Sequence, residues 1–358
     1  MIDIVQPTSQ PTTFTAELVK LKTLIDNAKL PEELKGKADE MLARLTRMVD
    51  TGVYSAEYDR SAHYIQWITS LPWSTYTSDH LDIVAAQQNM NKTHYGMAEP
   101  KDRMLEYLAT IKLRMDQGGE KTVHAPAIFL VGLVGTGKTT FAYSLAETMG
   151  RKFARIPFGG LGSARDLRGK SRLFAEAEPG AIVKAIKDAG SWNPIILLDE
   201  IDRVSVEERA DIMGVLVELL DPTQNNRFLD HYLDYPIDLS QVLFVATANN
   251  TTNVATAVLD RLELIQMPSY SDEEKIHISR EFLLPKAIKD AGLLPTQLTI
   301  DPSVWPVVAR PLGYDAGIRT LQRTIAALCR RVAREIVEGK TQQVIVSMDN
   351  YKHYMQAY

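Results

Sequence analysis

Between Thr15 and Met48 the apolar residues recur every three or four positions, with Leu18, Leu21 and Ile25 on one segment and Met41, Leu42, Leu45 and Met48 on the next. This spacing predicts two amphipathic helices, punctuated by Pro31 and Gly52. A third helix is expected from near Ser55 through Ile65 and Trp67 to the Leu71-Pro72-Trp73 break, because proline disfavours helical backbone in the residue before it. Residues 1–14, rich in Pro, Thr, Ser and Gln, read as a loose leader.

The pattern changes in the middle of the chain. Ala127–Val131, Pro194–Leu198 and Val242–Ala246 are short unbroken apolar runs, which suit strands buried on both faces of a parallel sheet. Helical spacing lies between them, at Thr140–Met149 and Ala181–Ala189. Strands and helices in alternation predict a wound α/β domain. After Pro268 the period becomes helical again. Ser271 and Glu274 form a capping-box signature for a helix expected to end by Pro285. Ile318, Leu321, Ile325, Leu328, Val332 and Ile336 then make one apolar stripe closed by Gly339.

Composition narrows the class. The chain has 358 residues, 45% hydrophobic and 24% charged, which suits a globular protein of two or three domains. A formal net charge of −5 gives no indication of nucleic-acid binding. One cysteine, Cys329, excludes an intrachain disulfide and reads as a small buried residue. The first residues lack the charged and apolar regions of a signal peptide. No apolar run approaches the roughly 18 residues of a membrane span, so the expected compartment is the cytoplasm.

The chemistry begins at Gly132-Leu133-Val134-Gly135-Thr136-Gly137-Lys138-Thr139, a G-x-x-x-x-G-K-[ST] loop between an expected strand and an expected helix. Glycines let several backbone N–H groups point at phosphates, and the helix N-terminus adds its dipole. Lys138 is expected on the β- and γ-phosphates, with the Thr139 hydroxyl on Mg²⁺. The next strand delivers Asp199 and Glu200 together to the sheet's C-terminal edge, where ligands bind in open α/β sheets. Asp199 would hold Mg²⁺, and Glu200 would orient and deprotonate the attacking water. Asn249, at the tip of the third strand, can position the same water.

This order of motifs resembles the AAA+ ATPases, and within them the sequence looks like the Lon family of ATP-dependent proteases. The matching stretches are Leu198–Asp202, Leu219–Asn226, Asp230–Asp234, Leu259–Glu263 and Ala316–Arg319; Ser70–Trp73, His94–Gly96 and Met104–Ala109 match upstream. The resemblance implies an AAA+ P-loop NTPase core with a parallel sheet, a helical N-terminal region and a small all-α lid. The expected partition is a leader at 1–14, helices at 15–84, the ATPase domain at 85–269 and the lid at 270–358.

It also implies roles for particular residues. Asn249 looks like the sensor-1 residue, Arg261 like an arginine finger directed at a neighbouring subunit's nucleotide, and Arg319 like sensor 2 on the lid. Planar guanidinium groups pair well with phosphate oxygens. His94 and Tyr95 would line the adenine pocket beside Gly132–Thr139 and Thr140, with core packing the competing reading of Tyr95. Phe174 and Ala175 occupy the first pore-loop position, where Glu176 replaces the family's usual glycine and core packing is the other reading of Phe174. A second pore loop is expected at Ser205–Asp211, with Arg209 and Asp211 fitting the pattern.

The expected function is an ATP- and Mg²⁺-dependent motor, a hexameric ring of identical chains. It would unfold and translocate protein substrates toward a peptidase domain not found in this sequence. A stand-alone remodelling ATPase, a DNA-handling ATPase and an inactive nucleotide-binding scaffold are the rival readings; no membrane partner is expected.

Overall fold

A computed structural model of the chain describes residues 11–51, 55–117, 126–174, 176–310 and 317–355, the side chains of 11–13 excepted. Three helices open it: α1 (Pro11–Asn27), α2 (Glu32–Asp50) and α3 (Ala56–Ser70). Helix α1 begins inside the segment expected as a leader. Pro11 is suited to a first helical turn, where the missing N–H has no intrahelical partner to lose. Leu21, Ile25, Leu42, Leu45, Ile65 and Ile68 are buried together, as their spacing predicts, while Met41 and Met48 pack at the rim.

Helices α4 (Ile83–Thr93) and α5 (Ala98–Asp116) follow, and α4 is capped by the Asp82 carboxylate, which accepts from Val84 N and Ala85 N. The expected boundary between residues 84 and 85 therefore falls inside α4. Strand β1 (Ala127–Val131), helix α6 (Lys138–Met149), strand β2 (Phe153–Pro157), helices α7 (Ala164–Arg168) and α8 (Ala181–Ala189), and strand β3 (Ile195–Asp199) build the first half of the α/β core. Helix α9 (Arg209–Leu220), the antiparallel pair β4 (Phe228–Asp230) and β5 (Tyr235–Ile237), strand β6 (Leu243–Ala248), helix α10 (Thr256–Leu259) and strand β7 (Leu262–Gln266) complete it.

The main sheet is parallel, in the order β2-β3-β6-β1-β7. Its three central strands are the three apolar runs. The flanking strands escaped the pattern because each has one polar face: β2 reads Phe-Ala-Arg-Ile-Pro with Arg155 and Pro157 exposed, and β7 reads Leu-Glu-Leu-Ile-Gln. Alternate residues of one strand serve two cores, since side chains of a strand point to opposite faces. Ile128 and Leu130 pack with Met90, Met104 and Tyr107 under α4 and α5. Phe129 and Val131 join the other cluster, which runs without a break into α1–α3.

The N-terminal helices thus share a continuous buried cluster with the α/β core. Trp73 stacks on Trp192 at 4.6 Å between ring centroids, and the Tyr64 hydroxyl donates to Leu233 O at 2.8 Å.

The lid contains α11 (Asp272–Ile278), α12 (Leu284–Asp290), β8 (Leu298–Ile300), α13 (Trp305–Ala309), α14 (Arg319–Val337), β9 (Val344–Val346) and α15 (Tyr351–Tyr354). Two sequence expectations change here. The capping box of Ser271 and Glu274 is present, but the helix does not end by Pro285. A π-helical turn, Ser279–Leu283, joins α11 to α12 and places Pro285 in the first turn of α12, where its missing N–H is tolerated. The lid is also not all-α. β8 and β9 pair in parallel, and Leu298, Ile300, Val344 and Val346 turn inward against Leu328 and Val332 of α14. Three-residue strands are too short for a period of two to stand out.

Candidate active site

Strand β1 ends at Val131, and the chain turns into the glycine-rich loop at the C-terminal edge of the sheet. A Cβ at Gly132 would run into the Met267 carbonyl, so only glycine fits between the strands there. Gly135 and Gly137 adopt φ of +83° and +91°, the left-handed backbone that glycine takes without steric penalty. Lys138 opens α6 and is buried. Its ammonium donates to Gly132 O at 2.5 Å, Leu133 O at 3.1 Å and Asn249 Oδ1 at 3.2 Å, which uses all three of its protons. Burial pulls its pKa below the ordinary lysine value, against the nearby Asp202, Asp199 and Glu200 carboxylates.

Thr136 is buried and donates to Leu133 O at 2.9 Å, which pins the loop from below. Leu133, Val134, Thr139 and Thr140 are exposed at its crest. The first N–H groups of α6 face the same open side, a ready anion-binding end.

Strand β3 carries Asp199 to the loop. The buried Asp199 carboxylate accepts the Thr247 hydroxyl proton at Oδ1 (2.6 Å), with Thr139 Oγ1 at 3.5 Å from the same atom. Its Oδ2 accepts from Arg155 Nε at 2.7 Å. Glu200 then breaks the strand with φ 58° and ψ 51°, a left-handed residue without glycine's freedom, and its N–H donates to Thr247 Oγ1 at 2.9 Å. Arg203 lies 3.4 Å from the Glu200 Oε2. Asn249 is fixed on its other side by its N–H donating to Asp202 Oδ2 at 3.0 Å. Two hydrogen-bonded groups therefore meet at the adjacent residues Lys138 and Thr139: Lys138 with Asn249 and Asp202, and Thr139 with Asp199 and Thr247, to which Glu200 is tied by its backbone.

Three participants were not singled out from the sequence. Thr247 lies in the strand-end string Ala246-Thr247-Ala248-Asn249 and Asp202 in Leu198–Asp202, so position alone could have suggested them. Arg155 sits on the edge strand that the apolar-run criterion overlooked.

His94 and Tyr95 follow α4 and do different things. The buried His94 ring places Nε2 3.0 Å from Thr140 Oγ1 and packs edge-on against Phe141. Burial, and next the Lys101 ammonium, push its pKa down to about 4, so it is neutral at physiological pH. Lys101 donates to His94 O at 2.6 Å. Tyr95 is 39% exposed, which rules out simple core packing, and it stacks on His277 of α11 at 3.8 Å.

The lid meets the loop directly. Ile318 N donates to Gly135 O at 3.1 Å, and a Cβ on Gly317 would lie 2.6 Å from the Gly135 carbonyl carbon. Arg319 begins α14 at this contact with its side chain in solvent. Arg261 joins none of this group. Its guanidinium donates to Asp221 Oδ2 through NH2 at 2.9 Å and to Ala257 O at 2.7 Å.

Phe174 is 58% exposed and Leu173 beside it 87%, so core packing of Phe174 does not hold; Ala175 lies outside the described residues. The segment borders a cavity of about 620 Å³ lined by Arg165, Arg168, Lys170, Phe174, Glu176 and His231. Arg209 is the first residue of α9 and reaches Val204 O at 3.5 Å, while Asp211 faces solvent.

A divalent cation fits this donor set. A threonine hydroxyl and a buried carboxylate converge, and Asp202 Oδ1 close by is buried without a partner. Among the described residues no group of three or more His, Cys, Asp or Glu could hold a metal unaided. Mg²⁺ characteristically takes one or two carboxylates and completes its shell with water and phosphate oxygens.

Comparison with known proteins agrees with this geometry. Residues 128–270 match the family of ATPases associated with various cellular activities (AAA), and residues 289–345 match the Lon protease AAA+ ATPase lid domain. The chain is 39% identical over 343 residues to the Lon protease of Syntrophomonas wolfei, covering 96% of this chain and 41% of that protein. It is 40% identical to the Lon protease of Dictyoglomus thermophilum over 95% of this chain and 42% of that protein. With the Lon protease of Lawsonia intracellularis the identity is 41%, over 90% of this chain and 38% of that protein. The chain thus spans about two fifths of the length of these relatives. No helix among the described residues is long and apolar enough to cross a membrane.

Proposed function

This chain belongs to the AAA ATPases in the form carried by Lon proteases, and on that footing we propose that it hydrolyses Mg²⁺-ATP to drive unfolded polypeptide through a ring of six identical copies. The observation that carries the reading is the convergence, at the adjacent residues Lys138 and Thr139, of a Lys138–Asn249 hydrogen bond and a Thr139–Asp199–Thr247 group, with Glu200 on the turn beside them.

The phosphates of ATP lie along the loop and the start of α6, and their oxygens replace the two loop carbonyls as acceptors for Lys138. Thr139 and Asp199 would hold Mg²⁺, which would offset phosphate charge when bound. Glu200 takes a proton from the water as its oxygen bonds to the γ-phosphorus and the bond to the β–γ bridging oxygen breaks. Asn249, fixed by Lys138 and Asp202, orients that water. His94 and Tyr95 flank the base. Arg319 reads the nucleotide from the lid, and Arg261 leaves Asp221 to reach the nucleotide of the adjacent copy. The exposed Phe174 grips substrate, with Arg209 on a second loop, and the whole serves as the motor of an ATP-dependent protease of the Lon type.

Steady-state ATPase rates with and without an unfolded protein test this, comparing wild type with Glu200→Gln. The wild-type rate should rise with unfolded protein, and the variant should fall at least about a hundredfold while still binding nucleotide. A rate indifferent to unfolded protein refutes the translocase reading. An unimpaired Glu200→Gln refutes the assignment of the base.

A further inference from the structure

We propose that Arg155 is a positioning residue that acts as the resident counter-ion of Asp199 and must be displaced before a metal–nucleotide complex can occupy the site; this rests on the nucleotide-site reading above. Arg155 and Asp199 share a face of the sheet. In the β2–β3 register Arg155 lies opposite Leu197 and Pro157 opposite Asp199, so the long side chain runs two residues up the strand to reach the carboxylate. Nε and NH2 both converge on Oδ2, at 2.7 and 2.6 Å, while Oδ1 is left to Thr247 and Thr139.

The two partners differ sharply in environment. The Asp199 side chain is 5% exposed and the Arg155 side chain 52%. A buried carboxylate needs a compensating charge, because removing it from water without one is strongly unfavourable. No other cationic side chain has a hydrogen bond or ion pair to Asp199 among those described, and Arg155 has no other acceptor. A half-exposed guanidinium on an edge strand can swing into solvent without disturbing the core, whereas Thr247 is fully buried and cannot.

The pair therefore lets the site stay folded and charge-balanced when empty, and sets a threshold for the metal. A cation approaching the Thr139 hydroxyl and Asp199 meets a carboxylate whose second oxygen is already neutralised. Arg155 has to yield before the full carboxylate charge becomes available to it.

The test is the Mg²⁺ dependence of binding of a fluorescent ADP analogue, read by anisotropy, in wild type, Arg155→Ala, Arg155→Gln and Arg155→Lys. Exposed-side ion pairs contribute up to about fivefold in an equilibrium constant. The Mg²⁺ concentration at half-saturation should fall by about that factor in the Ala and Gln variants and stay near wild type in Lys, with affinity in the absence of Mg²⁺ unchanged. Denaturant midpoints of the two neutral variants identify any that is not folded, and the other then decides.

An unchanged Mg²⁺ midpoint in a folded neutral variant overturns the proposal. Weaker nucleotide binding at saturating Mg²⁺ overturns it as well, since Arg155 would then be a ligand contact. A wild-type chain that binds no nucleotide at any Mg²⁺ concentration instead overturns the nucleotide-site reading, and this proposal with it.

Discussion

Thr247→Val removes one hydroxyl and leaves a side chain of nearly the same shape, so no cavity accompanies the change. Thr247 is completely buried between the two acidic residues of the site. Its hydroxyl donates to Asp199 Oδ1 at 2.6 Å and accepts from Glu200 N–H at 2.9 Å. A hydrogen bond to a charged group contributes about 1.5–3 kcal/mol and a neutral one about 1 kcal/mol. Asp199 keeps Arg155, so the net loss should lie near the lower end, about 2–3 kcal/mol.

The kinetic effect follows from the backbone. Glu200 sits at φ 58°, a conformation costing a non-glycine residue about 1–2 kcal/mol, and the bond to Thr247 helps hold it there. Freed, the turn can relax toward extended backbone and carry the carboxylate away. Each 1.4 kcal/mol lost from transition-state stabilisation is about tenfold in rate, so kcat should fall ten- to a hundredfold. KM for ATP should change much less, because the phosphate loop is untouched.

Steady-state ATPase kinetics and urea denaturation on Thr247→Val and Thr247→Ser separate the two effects. Serine keeps the hydroxyl and should restore kcat even though the lost methyl lowers stability slightly. A valine variant that is destabilised but turns over at the wild-type rate refutes the positioning role. One that is neither destabilised nor slowed refutes the hydrogen-bond argument altogether.

Two further outcomes follow from the packing and the charges. Trp73→Ala removes a ring stacked on Trp192 and hydrogen-bonded to Ile68 O at 2.6 Å, and should cost about 3–5 kcal/mol. Because the N-terminal helices and the sheet share one core, the loss should appear as a single lowered denaturation midpoint; independent melting of the helices would contradict that. His94 has a folded pKa of about 4, below its unfolded value near 6.5, so the unfolded chain binds the extra proton first and stability falls as pH drops through that window. The loss is on the order of 3 kcal/mol. His94→Gln should remove this component, so that the wild-type minus variant stability difference shrinks from pH 7 to pH 4; a difference constant with pH would contradict it.

What the sequence reveals about this site depends on where each group's information resides. The loop is legible because its chemistry is local: eight consecutive residues supply the turn, the lysine and the hydroxyl. Asp199, Glu200 and Asn249 are legible because strand ends of a parallel sheet are brought to one edge by the fold class itself. Arg155 and Thr247 are different. Each matters only through a partner 44 or 48 positions away, across a strand pairing whose register no local pattern fixes. The edge strands stayed hidden for a related reason, since half their residues face solvent and break the apolar run that marked the central three.

The lid contact shows the same limit in its strongest form. In sequence Gly317 is only one residue of the matching stretch Ala316–Arg319, but in the fold it is the point where the lid touches the phosphate loop backbone to backbone. Its α-carbon lets the strand of contacts close: a Cβ there would sit 2.6 and 2.7 Å from Gly135 carbonyl carbon and Cα, atoms that cannot move without moving the loop. Ile318 N–H then bonds Gly135 O, and α14 starts at the next residue, with Arg319. The loop is therefore joined directly to the first turn of a 19-residue helix whose apolar side packs the lid's own core along its length. Leu321, Ile325, Leu328 and Val332 are buried along this helix, and its attachment to the phosphate loop runs through backbone rather than through any side chain at the contact.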